Sequence, residues 1–210
     1  MEIKTLFFDL DNTLYPPTCG LWEAISLRIS VFMQNQLRIP SENILSIRQY
    51  CRENFGTTLQ GLKSLYPLDE EDYLAFVHDI DLDQYISPDP KLAKMLLTLP
   101  QHKIIFTNSD HTHAQRVLAV MGIERYFNQI IDIYDISPFS KPQPQSFRIA
   151  LKKASETTAK RCSMIDDNAQ NLEVAKRQGF FCVQVWEEFR NERPFITIPD
   201  ILDLPSVLLN

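Results

Sequence analysis

The sequence contains no apolar run approaching the roughly 18 residues needed to cross a membrane. It has no basic excess either: 21 lysines and arginines stand against 27 acidic residues, for a net charge of −6. A chain of that balance offers no positive field to attract nucleic acid. Its four cysteines, Cys19, Cys51, Cys162 and Cys182, form no CxxC pair and match no zinc-ribbon spacing. A chain of 210 residues buries enough core to stand without disulfides, so these read as reduced thiols. The opening MEIKTLFFDLDN turns acidic at Asp9 and lacks a secretory layout, which makes the cytoplasm the expected compartment. No internal repeat or low-complexity segment is found.

What is present is the composition of a soluble globular protein, 44% apolar and 23% charged, with length for one domain or a core domain with an insertion. Ile3–Leu10 is a short apolar run that ends in Asp-Leu-Asp and predicts a buried strand. Lys103–Thr107, Ile130–Ile133, Cys162–Asp166 and Phe181–Val185 repeat that pattern. Between them the periodicity predicts helices over Pro90–Leu99, Thr112–Met121, Pro144–Ala154 and Ala169–Gln178, the last stopped by Gly179. Continuous apolar strands alternating with amphipathic helices predict an α/β fold, a parallel sheet covered on both faces.

Pro16–Ser87 breaks this rhythm, with helical signals and no good strand. Leu21–Leu37 places Ile25, Ile29, Phe32, Met33 and Leu37 at helical spacing. Ser41 and Glu42 open a second helix with Ile44, Leu45, Ile47 and Cys51, and the acidic cluster Asp69–Asp72 suits the positive start of another. The expected organisation is an α/β core of residues 1–15 and 88–210 with a helical insertion over 16–87, resumed at Pro88-Asp89-Pro90.

Asp9-Leu10-Asp11-Asn12-Thr13 falls at the carboxyl end of the first strand, where open parallel sheets place their sites. Strand alternation sends Asp9 and Asp11 to one side and Leu10 away into packing. One carboxylate can then attack while the other moves protons. The ends of the other strands add Thr107-Asn108-Ser109, an anion cradle before a helix. They also add Lys141, whose backbone is restrained by Pro142, and Asp166-Asp167, which beside Asp9 would form a hard-oxygen site for Mg²⁺. Taken singly, Thr107 reads equally as a helix cap, Lys141 as a solvated lysine and Asp166-Asp167 as an acidic turn. Their conjunction, in this order and each at a strand end, favours a catalytic site.

That order of Asp-x-Asp-x-Thr, strand-Thr, Lys and Asp-Asp resembles the haloacid dehalogenase (HAD) superfamily over essentially the whole chain. The resemblance implies a Rossmann-like core with a helical C1-type cap inserted after the first strand. Asp11–Tyr15, Phe55-Gly56, Gln60-Gly61-Leu62, Val77-His78-Asp79, His113–Leu118 and Ile165–Asn168 with Asn171 are similar to the pyrimidine 5′-nucleotidase branch. By that resemblance the chain is an Mg²⁺-dependent phosphomonoester hydrolase, with a nucleotide as its small-molecule partner and neither nucleic acid nor membrane. Asp9 would be the nucleophile and Asp11 the proton donor and acceptor, its carboxyl pKa raised by the crowded carboxylates. Lys141, with Thr107 and Asn108, would hold the phosphoryl group. Asp9, the Asp11 backbone carbonyl and Asp167 would hold Mg²⁺, with Asp166 acting through water.

His111 and His113 form an H-x-H pair that reads as the start of a helix rather than a second metal site. In the cap, Phe32, Phe55, Tyr66 and Tyr73 read as core residues, with one or two available to stack on a substrate ring. Gly56 and Gly61 read as points where backbone could approach that ring. A receiver-type phospho-acceptor domain is disfavoured by Asp11 and by the long insertion, and a dehalogenase by the acidic residue at position 11. A sugar-phosphate phosphatase or a phosphomutase would share every motif.

Overall fold

The computed structural model describes residues 2–186 and 194–208. Gly20–Tyr85 forms one compact unit, and the described residues on either side of it form the other.

The larger unit opens with β1, Thr5–Phe8, four residues that are all buried. The strand ends two residues earlier than the apolar run predicts. The Asp9 N–H still bonds the Ile165 carbonyl at 2.9 Å, but the Leu10 carbonyl then accepts from Thr13 and Leu14 at 3.2 and 3.1 Å. With Asn12 at φ 59° this is a tight turn, so a turn aims Asp11 and strand alternation does not.

The smaller unit consists of α1 (Leu21–Asn35), α2 (Ser41–Phe55), α3 (Thr58–Leu65) and α4 (Glu70–His78), followed by a 3₁₀ turn at Leu82–Gln84. Phe32 of α1 meets Tyr73 and Phe76 of α4 edge-on, with ring centroids 5.1 and 5.5 Å apart. The Asp69 side chain caps α4, accepting from the Glu71 and Asp72 N–H groups. Gly56 ends α2 at φ 88°. Gly61 lets α3 lie against α2: a Cβ there would come within 2.4 Å of the Cys51 side chain. Both glycines are therefore spent on helix ending and helix packing, and Phe32 and Tyr73 on the core. Of the four aromatics singled out from the sequence, only Phe55 and Tyr66 are half-exposed.

The sheet continues through β2 (His102–Phe106), β3 (Gln129–Ile131), β4 (Cys162–Asp166), β5 (Phe181–Val185) and β6 (Ile196–Ile198). Its order is β3-β2-β1-β4-β5-β6, parallel throughout. The α/β expectation holds, while β3 begins one residue earlier than the apolar run and β6 was not anticipated. Helices α5 (Pro90–Thr98), α6 (His111–Val120), α7 (Pro144–Lys153), α8 (Ala169–Arg177) and α9 (Leu204–Leu208) complete the unit. Asp89, Asp110 and Asn168 cap α5, α6 and α8 through their side chains, so the junctions from β2 to α6 and from β4 to α8 are each fixed by a polar residue. Phe7 packs edge-on against Phe106 and Phe180 beneath the site. The chain moves from β1 to β2 and β3 on one side, then from β4 outward on the other. That reversal between β1 and β4 is the point at which open α/β sheets place a site, at the carboxyl ends of the strands.

Candidate active site

Three strand ends converge there. Asp9 leaves β1, Thr107 leaves β2, and Asp166 closes β4, because the register pairs Phe8 with both Ile105 and Ile165. Lys141 reaches in from the loop before α7. Its ammonium, 1% exposed, donates to Asp9 Oδ1 at 2.6 Å, the Phe106 carbonyl at 2.7 Å and Asp166 Oδ2 at 3.2 Å. The sequence alone allowed a solvated lysine; the structure buries it. Asn108 explains how the loop is held. Its side-chain amide donates to the Lys141 carbonyl at 3.0 Å and accepts from the Lys141 N–H at 2.8 Å. The Asn108 side chain is thus occupied in placing Lys141. The buried Thr107 hydroxyl accepts from the Ser109 N–H at 3.0 Å and can still donate.

The two β4 carboxylates differ. Asp166 is fully buried and accepts from the Asn168 N–H at 2.8 Å, the Asn171 amide at 2.9 Å and Lys141. Asp167 is half-exposed, and the Thr13 hydroxyl lies 3.4 Å from its Oδ1. That hydroxyl also accepts from the Asp167 N–H at 3.1 Å, and it lies 3.3 Å from Asp9 Oδ2. Thr13 therefore ties the β1 turn to the end of β4. Trp186 adds a second tie, its indole N–H reaching the Thr13 carbonyl at 3.2 Å.

Ligand oxygens of Asp9, Asp166 and Asp167 lie within 4.8 Å of one another. Burial, against the pull of Lys141 and with the repulsion of Asp166 and Asp11, pushes the Asp9 carboxyl up to about 7. Burial, and then the charges of Asp166 and Asp9, push Asp167 up to about 8. Burial draws the Lys141 ammonium down, but Asp166 and Asp9 outweigh it and the net shift is upward. Three carboxylates around one ammonium leave excess negative charge in a confined space. A small hard cation offsets that excess, so the residues fit Mg²⁺. Among the described residues, Asp9 Oδ2 and the Asp167 oxygens meet no nitrogen donor, only the distant Thr13 hydroxyl, whereas both oxygens of Asp166 are already engaged by nitrogen donors.

The carboxyl of Asp11 stands outside that group of three. Tyr15 donates to its Oδ1 at 2.7 Å, Ser109 donates to Oδ2 at 2.6 Å, and His113 Nε2 lies 2.8 Å from Oδ1. Burial first, then the charge of Asp11, raises the Tyr15 phenol well above its ordinary value, so it remains a donor. Asp11 thus adds to the crowding at Asp9, and its own carboxyl is surrounded by hydrogen-bonding partners. None of these partners was assigned to Asp11 from sequence. Tyr15 lies within one turn of it, and the family resemblance singled out His113 from the H-x-H pair without saying what it meets. The fold separates them: His111, half-exposed, faces Asp132 at 3.7 Å, and the buried His113 faces Asp11.

A profile of haloacid dehalogenase-like hydrolases matches residues 3–179. The chain belongs to that family. Among its relatives is phosphate metabolism protein 8 of Saccharomyces cerevisiae, 26% identical over 98% of this chain and 72% of the yeast protein. The HAD-hydrolase YfnB of Bacillus subtilis, solved with magnesium, superposes with a TM-score of 0.68 at 18% identity, covering 100% of both chains. A predicted phosphoglycolate phosphatase of Haemophilus somnus gives 0.61 at 17% identity, over 99% of this chain and 98% of the other. The L-2-haloacid dehalogenase of Xanthobacter autotrophicus gives 0.63 at 18% identity, over 99% of each. At these identities the likeness is one of fold, and the HAD architecture serves both phosphate esters and organic halides. Among the described residues, no helix is long and apolar enough to cross a membrane.

Proposed function

We propose that this HAD hydrolase is an Mg²⁺-dependent phosphomonoester phosphatase working through a phosphoaspartate on Asp9. The observation that carries the reading is the division of one turn into two environments. Asp9 lies against Lys141 beside Asp166 and Asp167, while Asp11, two residues on, is held apart by Tyr15, Ser109 and His113. Two carboxylates placed differently support two roles.

An Asp9 oxygen attacks phosphorus as the P–O bond to the alcohol breaks, and Asp11 gives its proton to the departing oxygen. Water then attacks the phosphoaspartate, Asp11 takes the proton of that water, and inorganic phosphate leaves with Asp9 restored. Lys141 and Thr107 hold phosphoryl oxygens, and Asn108 keeps Lys141 in place. Asp9, Asp167 and the Asp11 carbonyl, with Asp166 behind, would hold Mg²⁺, which would supply charge neutralisation for the phosphoryl group. A halide leaves without a proton, so a dehalogenase has no use for an acid at position 11, which favours the ester over the halide.

The name of the yeast relative agrees with phosphate chemistry. Pyrimidine nucleoside monophosphates are the substrates to test first, on the motif resemblance at 55–62 and 77–79. Gly56 and Gly61 lend that choice no physical support, being committed to the ends and contacts of helices. The test is phosphate release from UMP, CMP, AMP, GMP, sugar phosphates and p-nitrophenyl phosphate, with Mg²⁺ and with EDTA. Metal-dependent release supports the reading, and full activity after thorough removal of metal sinks it. A sugar phosphate ahead of UMP and CMP would overturn the nucleotide assignment and leave the chemistry standing.

A further inference from the structure

The carboxyl of Asp11 sits close to a charge-dense cluster without joining it. Its backbone belongs to the same turn as Asp9, and a free carboxylate on that turn could swing inward and become one more oxygen ligand. Were it to do so, it could no longer give a proton to a leaving alcohol. Three groups from three different elements oppose that motion. Tyr15 comes from the turn itself, Ser109 from the loop after β2, and His113 from the first turn of α6. The anchoring is rigid: the His113 N–H is capped by Asp110 at 2.9 Å, and its side chain is 0% exposed. Both oxygens of Asp11 are thereby directed, Oδ1 by Tyr15 and His113 and Oδ2 by Ser109.

We infer that His113, with Ser109 and Tyr15, is a positioning residue that holds the Asp11 carboxyl out of the Asp9–Asp166–Asp167 cluster and aimed at the leaving group. The inference rests on the phosphatase reading above and adds to it residues whose side chains meet the Asp11 carboxyl. Their effect is confined to proton transfer, so it shows only where a proton is needed.

The experiment compares wild type with His113→Ala, His113→Gln and Ser109→Ala on two esters at saturating Mg²⁺. One is glycerol phosphate, whose alcohol needs a proton to leave, and the other p-nitrophenyl phosphate, whose phenolate hardly does. For His113→Ala, kcat/KM on glycerol phosphate should fall by about 10²-fold. On p-nitrophenyl phosphate kcat and KM should fall together, with kcat/KM nearly kept. Formation of the phosphoenzyme is then spared while its hydrolysis is slowed, so acid-quenched phosphoenzyme should accumulate. His113→Gln, which places an amide nitrogen where Nε2 stood, should recover most of the loss. Equal losses of kcat/KM on both esters, or no rescue by Gln, would overturn the inference. If His113→Ala melts below the assay temperature, Ser109→Ala must show the same split in smaller measure, and its absence overturns the inference too. The two readings fail differently. No phosphate on Asp9 in wild type removes the phosphatase reading and this inference together, whereas phosphate on Asp9 with equal losses removes the inference alone.

Discussion

At the carboxyl end of the sheet Lys141 is buried between the carboxylates of Asp9 and Asp166, whereas in the helical unit Arg48 is buried against neutral oxygens. Arg48 donates to the Ser26 carbonyl at 2.8 Å, the Ser30 hydroxyl at 2.9 Å and the Ser26 hydroxyl at 2.8 Å, and its Nε has no partner. Among the described residues no carboxylate answers it, and burial lowers its pKa. The first cation belongs to a set of charges that a ligand can rearrange; the second stitches α2 to α1. Buried charge marks chemistry only where opposite charges and open acceptors accompany it.

The sharpest way to break this comparison is Asp9→Asn, which should abolish turnover, by at least about 10³-fold, while circular dichroism and melting stay near wild type. A variant that keeps a tenth of the activity would remove Asp9 from the nucleophile's role. Lys141→Met should cost roughly 3–5 kcal/mol of unfolding free energy without metal, because it strands carboxylates that the ammonium neutralised. Denaturant titration reads that loss, and a cost below that of Arg48→Met would show that the pairing is not what holds the site.

Gly61→Ala tests the helical unit by packing alone. The added Cβ would meet Cys51 at 2.4 Å, and the cost should be about 1–3 kcal/mol. Turnover of p-nitrophenyl phosphate well below the melting temperature should be unchanged. Arg48→Met should cost about 1–2 kcal/mol, the loss of hydrogen bonds to Ser26 and Ser30.

The last effect expected is one of pH. Asp9 and Asp167 are raised in the folded state from 3.8 to about 7 and about 8. The folded protein then holds more protons than the unfolded chain across that window. The stability they contribute is present below the unfolded value and lost as pH rises through the folded ones. Metal-free protein should therefore lose melting temperature steadily as pH rises from about 4 to 8, and saturating Mg²⁺ should remove the decline. A flat metal-free profile would show that the three carboxylates do not crowd one another.

The sequence by itself determined the α/β fold and the strand ends from which the site is built. Strands buried on both faces must be continuously apolar, so β1, β2, β4 and β5 stand out, and polar residues at their carboxyl ends are conspicuous. A three-residue edge strand such as β6 carries no such pattern, and β3 starts one residue and ends two residues before the expected run for the same reason. Only the tertiary structure decided which carboxyl faces which partner. Ser109 and His113 lie 98 and 102 residues from Asp11, and Lys141 lies 132 from Asp9. Nor could spacing tell that the oxygens of Asp166 are engaged while Asp167 stays open, or that Gly61 meets Cys51. Local pattern reports which face of an element is buried. The direction of a side chain's hydrogen bonds depends on groups brought from elsewhere in the chain, and these are set only when the sheet closes.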